Sequence, residues 1–338
     1  ASLRDVVDWI RGEYEACRRL GDVASAVRRA AARLSEGGVV AFPTETVYGL
    51  GACALDSQAV AQIFEIKHRP RFDPLIVHVA DVESIPPLVE AVPNAAARLM
   101  ERFWPGPLTL VLPKRPCVPD IVTAGLPNVA VRAPRHPIAQ RLLRAVGAPI
   151  AAPSANRFGG LSPTTAEAVR EQLGDSVEII LDAGPCPIGV ESTILACEGD
   201  TVVLLRAGGL PLEDIEAVVG PVRWAAPDAP DCPRAPGRLP RHYAPRARLQ
   251  VWSGEPPAPN PQAAVLAFRA PPPGAFAAVE VLSTAGDLVE AAARFFEALR
   301  VLDRSGAEVI WAERVPEQGL GRAINERLCR AATPAQTE

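Results

Sequence analysis

Four potentially cationic side chains crowd the segment KHRPR (67–71), which follows a predicted helix. Favourable interaction with the helix C-terminal dipole accounts for one or two of these charges. Lys67 is one of only two lysines among the 35 basic residues, so its type is an unusual choice in this chain. A compact ammonium and the planar guanidinium of Arg69 both suit phosphate or carboxylate oxygens. The segment is therefore a candidate anion-binding site.

Two further candidates lie within predicted strands. Alternation along LIVHV (75–79) places His78 on one face with Ile76, where a histidine is either a buried core residue or a ligand-binding one. Arg132 lies among small apolar residues in VAVRA (129–133). A buried guanidinium needs an anion, because an unpaired buried charge is costly. That anion is either an internal carboxylate or the carboxylate of a ligand.

Hydroxyl and amide side chains gather where predicted strands end. The segment AAPSAN (151–156) leaves one strand and is followed by Ser162, while GVESTI (189–194) and RAGG (206–209) flank a predicted hairpin. Ligands of open α/β sheets bind in crevices outside such strand ends. Asx and Ser turns use the same residue types, so the pattern alone leaves both interpretations open.

The pattern of apolar residues predicts an α/β scaffold for these candidates. Apolar runs and helical periodicity alternate along the chain, with proline and glycine between them. The connections are not uniform crossovers, so we expect a sheet with mixed strand directions. Strands are predicted at 39–42, 75–79, 108–112, 129–133, 149–152, 177–181, 193–197 and 201–206, and helices at 22–36, 57–67, 83–90, 94–103, 137–146 and 164–173.

The chain is predicted to have four parts. Residues 1–20 form a helical extension, and residues 21–215 form the main α/β domain, closed by a short helix near 212. The 14 prolines between 221 and 275 preclude long regular structure, so 216–246 are interpreted as a linker. Residues 247–334 predict a smaller α/β domain, with strands at 248–252, 263–268, 278–282 and 307–311 and helices at 286–304 and 320–331.

Composition narrows the function classes. The 338 residues are 48% hydrophobic and 22% charged with a net charge of −4, which excludes wholesale disorder and disfavours general binding to nucleic-acid backbones. No apolar run approaches the ~18 residues of a membrane helix. Arg4, Asp5 and Asp8 fall where a signal peptide would be apolar. The seven cysteines contain no CxxC pair, which fits a reducing compartment. We therefore expect a cytoplasmic protein.

Eight segments of the chain together resemble the motifs of the YrdC-type L-threonylcarbamoyl-AMP synthases. Their order and spacing match over about residues 20–215, and RHYAP (241–245) and GLGRAINERL (319–328) resemble the longer, two-domain form of the family. The resemblance thus covers nearly the whole chain. The eight segments are PTETVYGLG (43–51), KHRP (67–70), PLIVHV (74–79), WPGPLTLVL (104–112), VAVRAP (129–134), APSAN (152–156), GVESTI (189–194) and RAGG (206–209).

The resemblance implies a fold and a reaction. The fold is a YrdC-like twisted sheet of mixed strand direction with a large positive cavity, followed by a smaller Rossmann-like C-terminal domain. The family condenses L-threonine, bicarbonate and ATP into threonylcarbamoyl-AMP and pyrophosphate. Mg²⁺ is the implied cofactor and enters with ATP, so no protein side chain is expected to hold the metal. The product would pass to a tRNA threonylcarbamoyl transferase complex, and neither membrane association nor tight nucleic-acid binding is expected.

The resemblance also implies site residues. Lys67 and Arg69, the Lys-x-Arg element, would be catalytic. L-Threonine would be held by Thr46, His78, Arg132, the backbone near Ala152, and Ser192. ATP would be held by Arg69, Asp73, Asn128, Ser154, Asn156, Ser162 and Arg206, with either His242 or Tyr243 of the linker reaching back to it.

The residue types suit this chemistry. Arg132 would clamp the carboxylate of threonine bidentately, while Thr46 and Ser192 offer neutral polar partners. The N-carboxylate formed from the amine must attack the α-phosphate of ATP, so positioning and charge neutralisation should supply most of the catalysis. His78 is interpreted as a ligand holder rather than a base. The linker is interpreted as a cover that excludes water from the labile carbamate.

Two other function classes stay open. An RNA-binding module would use the same concave positive face, although the negative net charge and the 5% aromatic content disfavour it. A carbamoyl-adenylate-forming domain of a carbamoyltransferase or hydrogenase-maturation protein would share the sheet and the cavity, but such proteins are longer. Threonine-dependent release of pyrophosphate distinguishes the three functions.

Overall fold

A computed structural model describes residues 23–199, 201–226, 228 and 233–334, so the helical extension predicted at 1–20 lies outside the described residues. None of the helices described is long and apolar enough to cross a membrane. The elements are, in chain order, α1 (Val23–Ser35), β1 (Val40–Phe42), β2 (Gly49–Cys53), α2 (Ser57–Lys67), β3 (Ile76–His78), α3 (Asn94–Phe103), β4 (Leu108–Pro113), α4 (Asp120–Thr123), β5 (Asn128–Arg132), α5 (Pro137–Val146), β6 (Ile150–Ala151), α6 (Ala166–Leu173), β7 (Thr193–Glu198), β8 (Thr201–Arg206), α7 (Leu212–Val219), β9 (Arg223–Trp224), β10 (Arg248–Trp252), β11 (Asn260–Ala267), β12 (Phe276–Val281), α8 (Leu288–Arg304), β13 (Val309–Glu313) and α9 (Gly321–Ala332).

The first sheet has nine strands in the order β1-β2-β6-β3-β5-β4-β7-β8-β9. The pairs β3–β5, β4–β7 and β8–β9 are parallel and the other pairs are antiparallel. Helices cover both faces. Helices α2, α3 and α6 share one apolar core with the sheet, and α1 and α5 share another with Val40, Phe42 and Ile150. The predicted α/β fold with mixed strand directions is confirmed.

The second sheet is smaller and belongs to the C-terminal domain. Its four strands lie in the order β10-β13-β11-β12, and all three pairs are parallel. Phe295, Phe296 and Leu299 of α8 are fully buried in its core. The same core also takes in Val190 and Tyr243, which lie outside this domain. The predicted second, smaller α/β domain is therefore confirmed, and its core reaches the first domain.

Two predicted elements are wrong. A helix was expected at 83–90, but only a short 3₁₀ turn at Val82–Ser84 forms, because Pro86 and Pro87 cannot continue a helix. A strand was expected at 177–181, but this segment makes a single parallel bridge, between Ile180 and Ala41. Val177 and Leu181 are buried, so the apolar run reflects burial rather than a ladder of hydrogen bonds.

Three elements were missed, and one of them is the single-turn helix α4. Strand β2 reads GLGAC, and its glycines indicate a loop. A Cβ on Gly51 would lie 2.7 Å from the Phe42 ring, so glycine is required by the close approach of β1. Strand β9 lies in the predicted linker and pairs with β8. Helix α7, the short helix expected near 212, runs from Leu212 to Val219, and its Ile215 packs in the core of the first domain.

Helix α2 positions the KHRPR segment, and its N-cap offers a test of that scaffold. The Asp56 carboxylate accepts hydrogen bonds from the backbone N–H groups of Gln58 and Ala59, at 2.9 and 3.1 Å. Asp56→Ala should lower the free energy of unfolding by about 1 kcal/mol in urea titrations. Glu65→Ala, at an exposed site on the same helix, is the control and should change it little. Equal losses in both variants would contradict the capping role.

Candidate active site

A cavity lies where the first sheet meets the linker, with about 50 Å³ of space open to water-sized molecules. Loops and strand ends line it: the β1–β2 loop, β3, the end of β5, the segment after β6, the segment before β7, the end of β8 and the linker. Ten of the predicted site residues lie in its wall, namely Thr46, Arg69, His78, Arg132, Ala152, Ser154, Ser192, Arg206, His242 and Tyr243.

The wall is strongly cationic. Three guanidinium groups, those of Arg69, Arg132 and Arg206, line it together with one carboxylate, that of Glu191. Both histidines of the wall are neutral at physiological pH, because burial and the neighbouring cations lower their pKa values to about 3. The predicted positive cavity is therefore present.

His78 and Arg132 lie side by side, because β3 and β5 pair in parallel with these two residues in register. Ile76 shares the cavity-facing side of β3 with His78, while Val77 is buried in the core, as the alternation predicted. Burial, followed by the charge of Arg132, lowers the pKa of His78. Its Nδ1 has no hydrogen-bond partner within the described parts of the chain, so the ring keeps a free nitrogen at the cavity.

Arg132 has an internal carboxylate partner. Its Nη2 donates to Glu45 Oε1 at 2.7 Å, Nη1 to Thr46 Oγ1 at 3.0 Å, and Nε to Gly106 O at 3.2 Å. Of the two alternatives left open by the sequence, the structure thus shows the internal acid. A guanidinium has five N–H donors, so these bonds leave two for a ligand carboxylate. The Glu45 contact fixes the orientation of Arg132 at the wall.

Glu45 is ionised despite its burial. Burial alone would raise its pKa, but the charge and the hydrogen bond of Arg132 outweigh it and lower the pKa below 4.5. Its second oxygen, Oε2, accepts from the backbone N–H of Arg135 at 3.0 Å. A buried pair of this kind orients its members more than it stabilises the fold.

Arg69 and Asp73 form the second buried ion pair, with Nη2 and Oδ2 2.8 Å apart. Arg69 also donates to the carbonyl oxygens of Asp73 and Pro74. Burial raises the pKa of Asp73, and the positive charge of Arg69 opposes that rise. Asp73 does not line the cavity. The structure therefore places it as the counter-ion of Arg69, away from the position expected of an ATP ligand.

Arg206 differs from the other two arginines. Its Nη2 and Nε donate to Ser192 O at 2.9 and 3.2 Å, and Nη1 donates to Pro236 O at 3.0 Å. Among the described residues, no carboxylate lies within the 4.0 Å of an ion pair. Arg206 is only 4% exposed, and burial lowers its pKa. A buried guanidinium held only by neutral acceptors favours an anionic ligand.

Lys67 lies beneath the cavity rather than in its wall. Its Nζ donates to Ser154 O at 2.6 Å and to Asn156 O, so it fixes the loop that contains Ser154 and Asn156. Burial, together with the charge of Arg69, lowers its pKa well below 10.5. His68 ends helix α2 in the left-handed conformation and is exposed. Of the cationic segment, only Arg69 faces the cavity.

Asn156 also stabilises the loop that contains Ser154. Its Oδ1 accepts from Ser154 Oγ at 2.5 Å, and its Nδ2 donates to the carbonyl oxygens of Arg157 and Gly160. Ser154 itself lines the cavity. Asn156 is therefore placed to orient Ser154 rather than to contact a ligand.

Two other predicted ATP ligands lie outside the wall. Asn128 begins strand β5 and is exposed. Ser162 is fully buried, and its Oγ donates to Glu191 Oε1. The structure brings neither side chain to the cavity, because one lies at the far end of its strand and the other faces a wall residue.

The linker supplies the remaining wall. His242 and Tyr243 both line the cavity, with ring centroids 4.1 Å apart, so the geometry favours neither as the sole contact. The backbone φ of Tyr243 is 61°, in the left-handed region, so the chain turns sharply at this residue. The Nδ1 atom of His242 has no hydrogen-bond partner in the described chain.

The sequence analysis did not identify three residues of the cavity wall, Thr44, Glu191 and Gly237. Thr44 orders the β1–β2 loop, since its Oγ1 donates to Val47 O at 2.6 Å and lies 2.8 Å from Thr46 Oγ1. Glu191 and Gly237 also line the cavity. Thr44 and Glu191 both lie inside motifs that carry the family resemblance, so those motifs were a signal by which they could be found. Gly237 lies in the proline-rich segment and had none.

Comparison with known proteins agrees with this geometry. One family model, described as telomere recombination, matches residues 32–208, and another, described as threonylcarbamoyl-AMP synthase, C-terminal domain, matches residues 210–333. The threonylcarbamoyl-AMP synthase of Pyrococcus abyssi is 47% identical over 90% of this chain and 94% of its own. That of Bacillus subtilis is 45% identical over 90% and 92%. The crystal structure of P. abyssi Sua5 complexed with L-threonine has a TM-score of 0.84 at 44% identity, covering 90% of this chain and 94% of its own.

The fold and the cavity define a two-domain α/β protein with a cavity lined by arginines at the strand ends of a mixed sheet. Similarity extends across both domains. The chain belongs to the threonylcarbamoyl-AMP synthase family, in its two-domain form. The family resemblance inferred from the eight motifs is confirmed.

Gly237 tests the linker's place in the wall. Its φ is +75°, and an added Cβ would overlap Tyr243 Oη and lie 3.1 Å from Arg206 Nη1. Gly237→Ala should therefore lower the free energy of unfolding by more than the ~1–2 kcal/mol that a left-handed residue alone costs. Gly125→Ala is the matched control, because Gly125 has a φ of +77° with nothing near the added carbon. Equal losses in urea titrations would show that Tyr243 does not pack as described.

Glu45 supplies a pH-dependent test of the buried pair. Its folded pKa lies below the usual 4.5, so its contribution to stability is present above that pH and is lost as pH falls through the folded pKa. Glu45→Gln leaves Arg132 unpaired and should cost about 3–5 kcal/mol at pH 7. The difference from the wild type should shrink below pH 4.5. Glu83→Gln, at an exposed site, is the control, and a pH-independent difference at Glu45 would refute the pairing.

Proposed function

We propose that the protein is a nucleotidyltransferase that makes threonylcarbamoyl-AMP and pyrophosphate from L-threonine, bicarbonate and ATP. The observation that carries the proposal is Arg206, a buried guanidinium in the cavity wall whose hydrogen-bond acceptors among the described residues are all neutral. Such a group suits the phosphates of a nucleotide. Relatives at 45% and 47% identity, named threonylcarbamoyl-AMP synthases, support the same reaction.

The threonine half of the site uses β3, β5 and the β1–β2 loop. The two unused N–H groups of Arg132 bind the carboxylate of threonine, while Glu45 and Thr46 hold the guanidinium in place. The neutral ring of His78 and the hydroxyl of Ser192 are polar partners for the amine and the side-chain hydroxyl. A solved relative that is complexed with L-threonine supports this assignment.

The nucleotide half uses the end of β8, the segment after α2 and the linker. Arg69 and Arg206 bind the phosphate groups, and Ser154 adds a hydroxyl held by Asn156. His242 and Tyr243 of the linker close the cavity on that side, which limits water at the carbamate. Lys67 acts indirectly, by holding the loop that carries Ser154.

Catalysis rests on positioning and on charge neutralisation. The amine nitrogen of threonine bonds to the carbon of bicarbonate, and a C–O bond of bicarbonate breaks to release water, which leaves an N-carboxylate. Its oxygen attacks the α-phosphate of ATP while pyrophosphate leaves. The negative charge at the reacting phosphorus is stabilised by Arg69 and Arg206, which are fixed in place before the reaction by their protein contacts. No covalent enzyme intermediate is required.

Mg²⁺ is proposed to enter with ATP. Glu45, Asp73 and Glu191, the buried carboxylates near the cavity, each pair with an arginine. No cluster of three or more metal-binding side chains occurs in the described part of the chain. The residues present therefore fit a metal held by phosphate oxygens and water, which would neutralise phosphate charge. The product would then pass to a tRNA threonylcarbamoyl transferase complex in the cytoplasm.

The test is release of pyrophosphate from ATP in the presence of bicarbonate, with and without L-threonine. Threonine-dependent release supports the proposal. Threonine-independent release would favour the carbamoyl-adenylate function, and binding of tRNA that survives moderate salt with no turnover would favour the RNA-binding one.

Arg132→Lys tests whether the planar guanidinium, rather than a positive charge alone, is needed to bind the carboxylate of threonine. A lysine keeps the charge but loses the planar fork, so the KM for L-threonine should rise about 10-fold or more while the KM for ATP changes little. Arg135→Lys is the control, because its side chain is exposed, donates to Pro105 O and lies outside the cavity wall. Steady-state kinetics check both variants, and an equal rise in both KM values would contradict the clamp.

A further inference from the structure

Glu191 is an unexpected group in the wall of this cavity. It lies among Arg69, Arg132 and Arg206, and it is only 6% exposed. A bare carboxylate at this place would repel a triphosphate, because charges interact strongly where water is excluded. Both of its oxygens are held: Oε1 accepts from Ser162 Oγ, and Oε2 accepts from Arg327 Nε at 2.6 Å.

Arg327 comes from the other domain. It lies on α9, and its side chain is fully buried. Nη1 donates to the carbonyl oxygens of Ala207 and Ala323, at 3.0 and 2.8 Å. The guanidinium carbon lies 5.3 Å from the ring centroid of Tyr243, in a cation–π contact. One side chain thus touches three segments of the cavity wall: GVESTI, RAGG and the linker.

The surrounding packing keeps Arg327 in that position. Glu326 accepts a hydrogen bond from the backbone N–H of Ala207 at 2.9 Å. Val190, Ala207 and Tyr243 belong to the apolar core of the C-terminal domain. Burial alone would raise the pKa of Glu191, but the charges of Arg327 and Arg206 lower it, so the pair is ionised. The domain is therefore seated directly behind the nucleotide half of the cavity.

We propose that Arg327 is a positioning residue for ATP, which cancels the charge of Glu191 and fixes the wall on which the nucleotide lies. The C-terminal domain thereby completes the active site of the first domain. The proposal rests on the proposed function, because it takes ATP as the ligand of that half of the cavity.

Replacement of Arg327 by an uncharged residue should weaken ATP binding selectively. Arg327→Met leaves Glu191 as an unpaired carboxylate at the wall, so the Kd for ATP should rise about 10- to 100-fold, the range seen when a residue that orients a metal ligand is lost. The Kd for L-threonine should change much less, since Arg132 is held by Glu45 and Thr46 rather than by Arg327.

A double variant distinguishes charge cancellation from loss of packing. Glu191→Gln combined with Arg327→Met removes both charges and should recover most of the loss in ATP affinity. Arg304→Met is the matched control, because Arg304 also crosses between the domains, to Glu171, but is half exposed and lies outside the cavity wall. Its Kd for ATP should equal that of the wild type.

Titration calorimetry with Mg²⁺–ATP and with L-threonine, on full-length proteins whose circular dichroism matches the wild type, measures these values. An unchanged Kd for ATP in Arg327→Met, or a double variant no tighter than Arg327→Met, would overturn the proposal. If Arg327→Met does not fold, the double variant decides alone: a Kd for ATP within about 10-fold of the wild type supports the proposal, and a weaker one, or failure to fold, overturns it. A wild type that binds ATP but releases no pyrophosphate refutes the proposed function only, and one that binds no ATP refutes both.

Discussion

The need of a buried positive charge for a negative partner governs this cavity. Three guanidinium groups reach its wall, and two of them have carboxylate partners, Glu45 for Arg132 and Asp73 for Arg69. Arg206 has only neutral acceptors among the described residues. The one carboxylate in the wall, that of Glu191, pairs with Arg327 behind it. The wall therefore keeps excess positive charge that a nucleotide can satisfy.

Arginines that are anchored by several protein acceptors suit a reaction that depends on positioning. A guanidinium held by three protein acceptors keeps its orientation before the ligand arrives, so little rearrangement is needed when charge develops. Arg132 and Arg206 both follow this design, each anchored through several of its nitrogens. Lys67 lies behind the wall and positions it indirectly, since its ammonium fixes the loop that presents Ser154.

Both domains contribute to the one cavity. The mixed sheet supplies the threonine half through the register of β3 with β5, which sets His78 beside Arg132. The linker crosses the open side with His242 and Tyr243, and the C-terminal domain supports Tyr243 through its apolar core. The linker therefore acquires its structure from contacts with both domains, because its many prolines prevent it from forming regular structure alone.

The sequence by itself determined the family, the α/β class, most of the elements and the residue types of the site. Periodicity within one element decides which face a side chain shares, as it did for Ile76 and His78. Only the tertiary structure decided which candidates reach the cavity: Arg69 does and Lys67 does not. It also supplied the partners of the buried charges. Arg132 and Glu45 are 87 positions apart, and Arg327 and Glu191 are 136 apart. Such pairings arise from the packing of distant elements, and no local pattern in the chain encodes them.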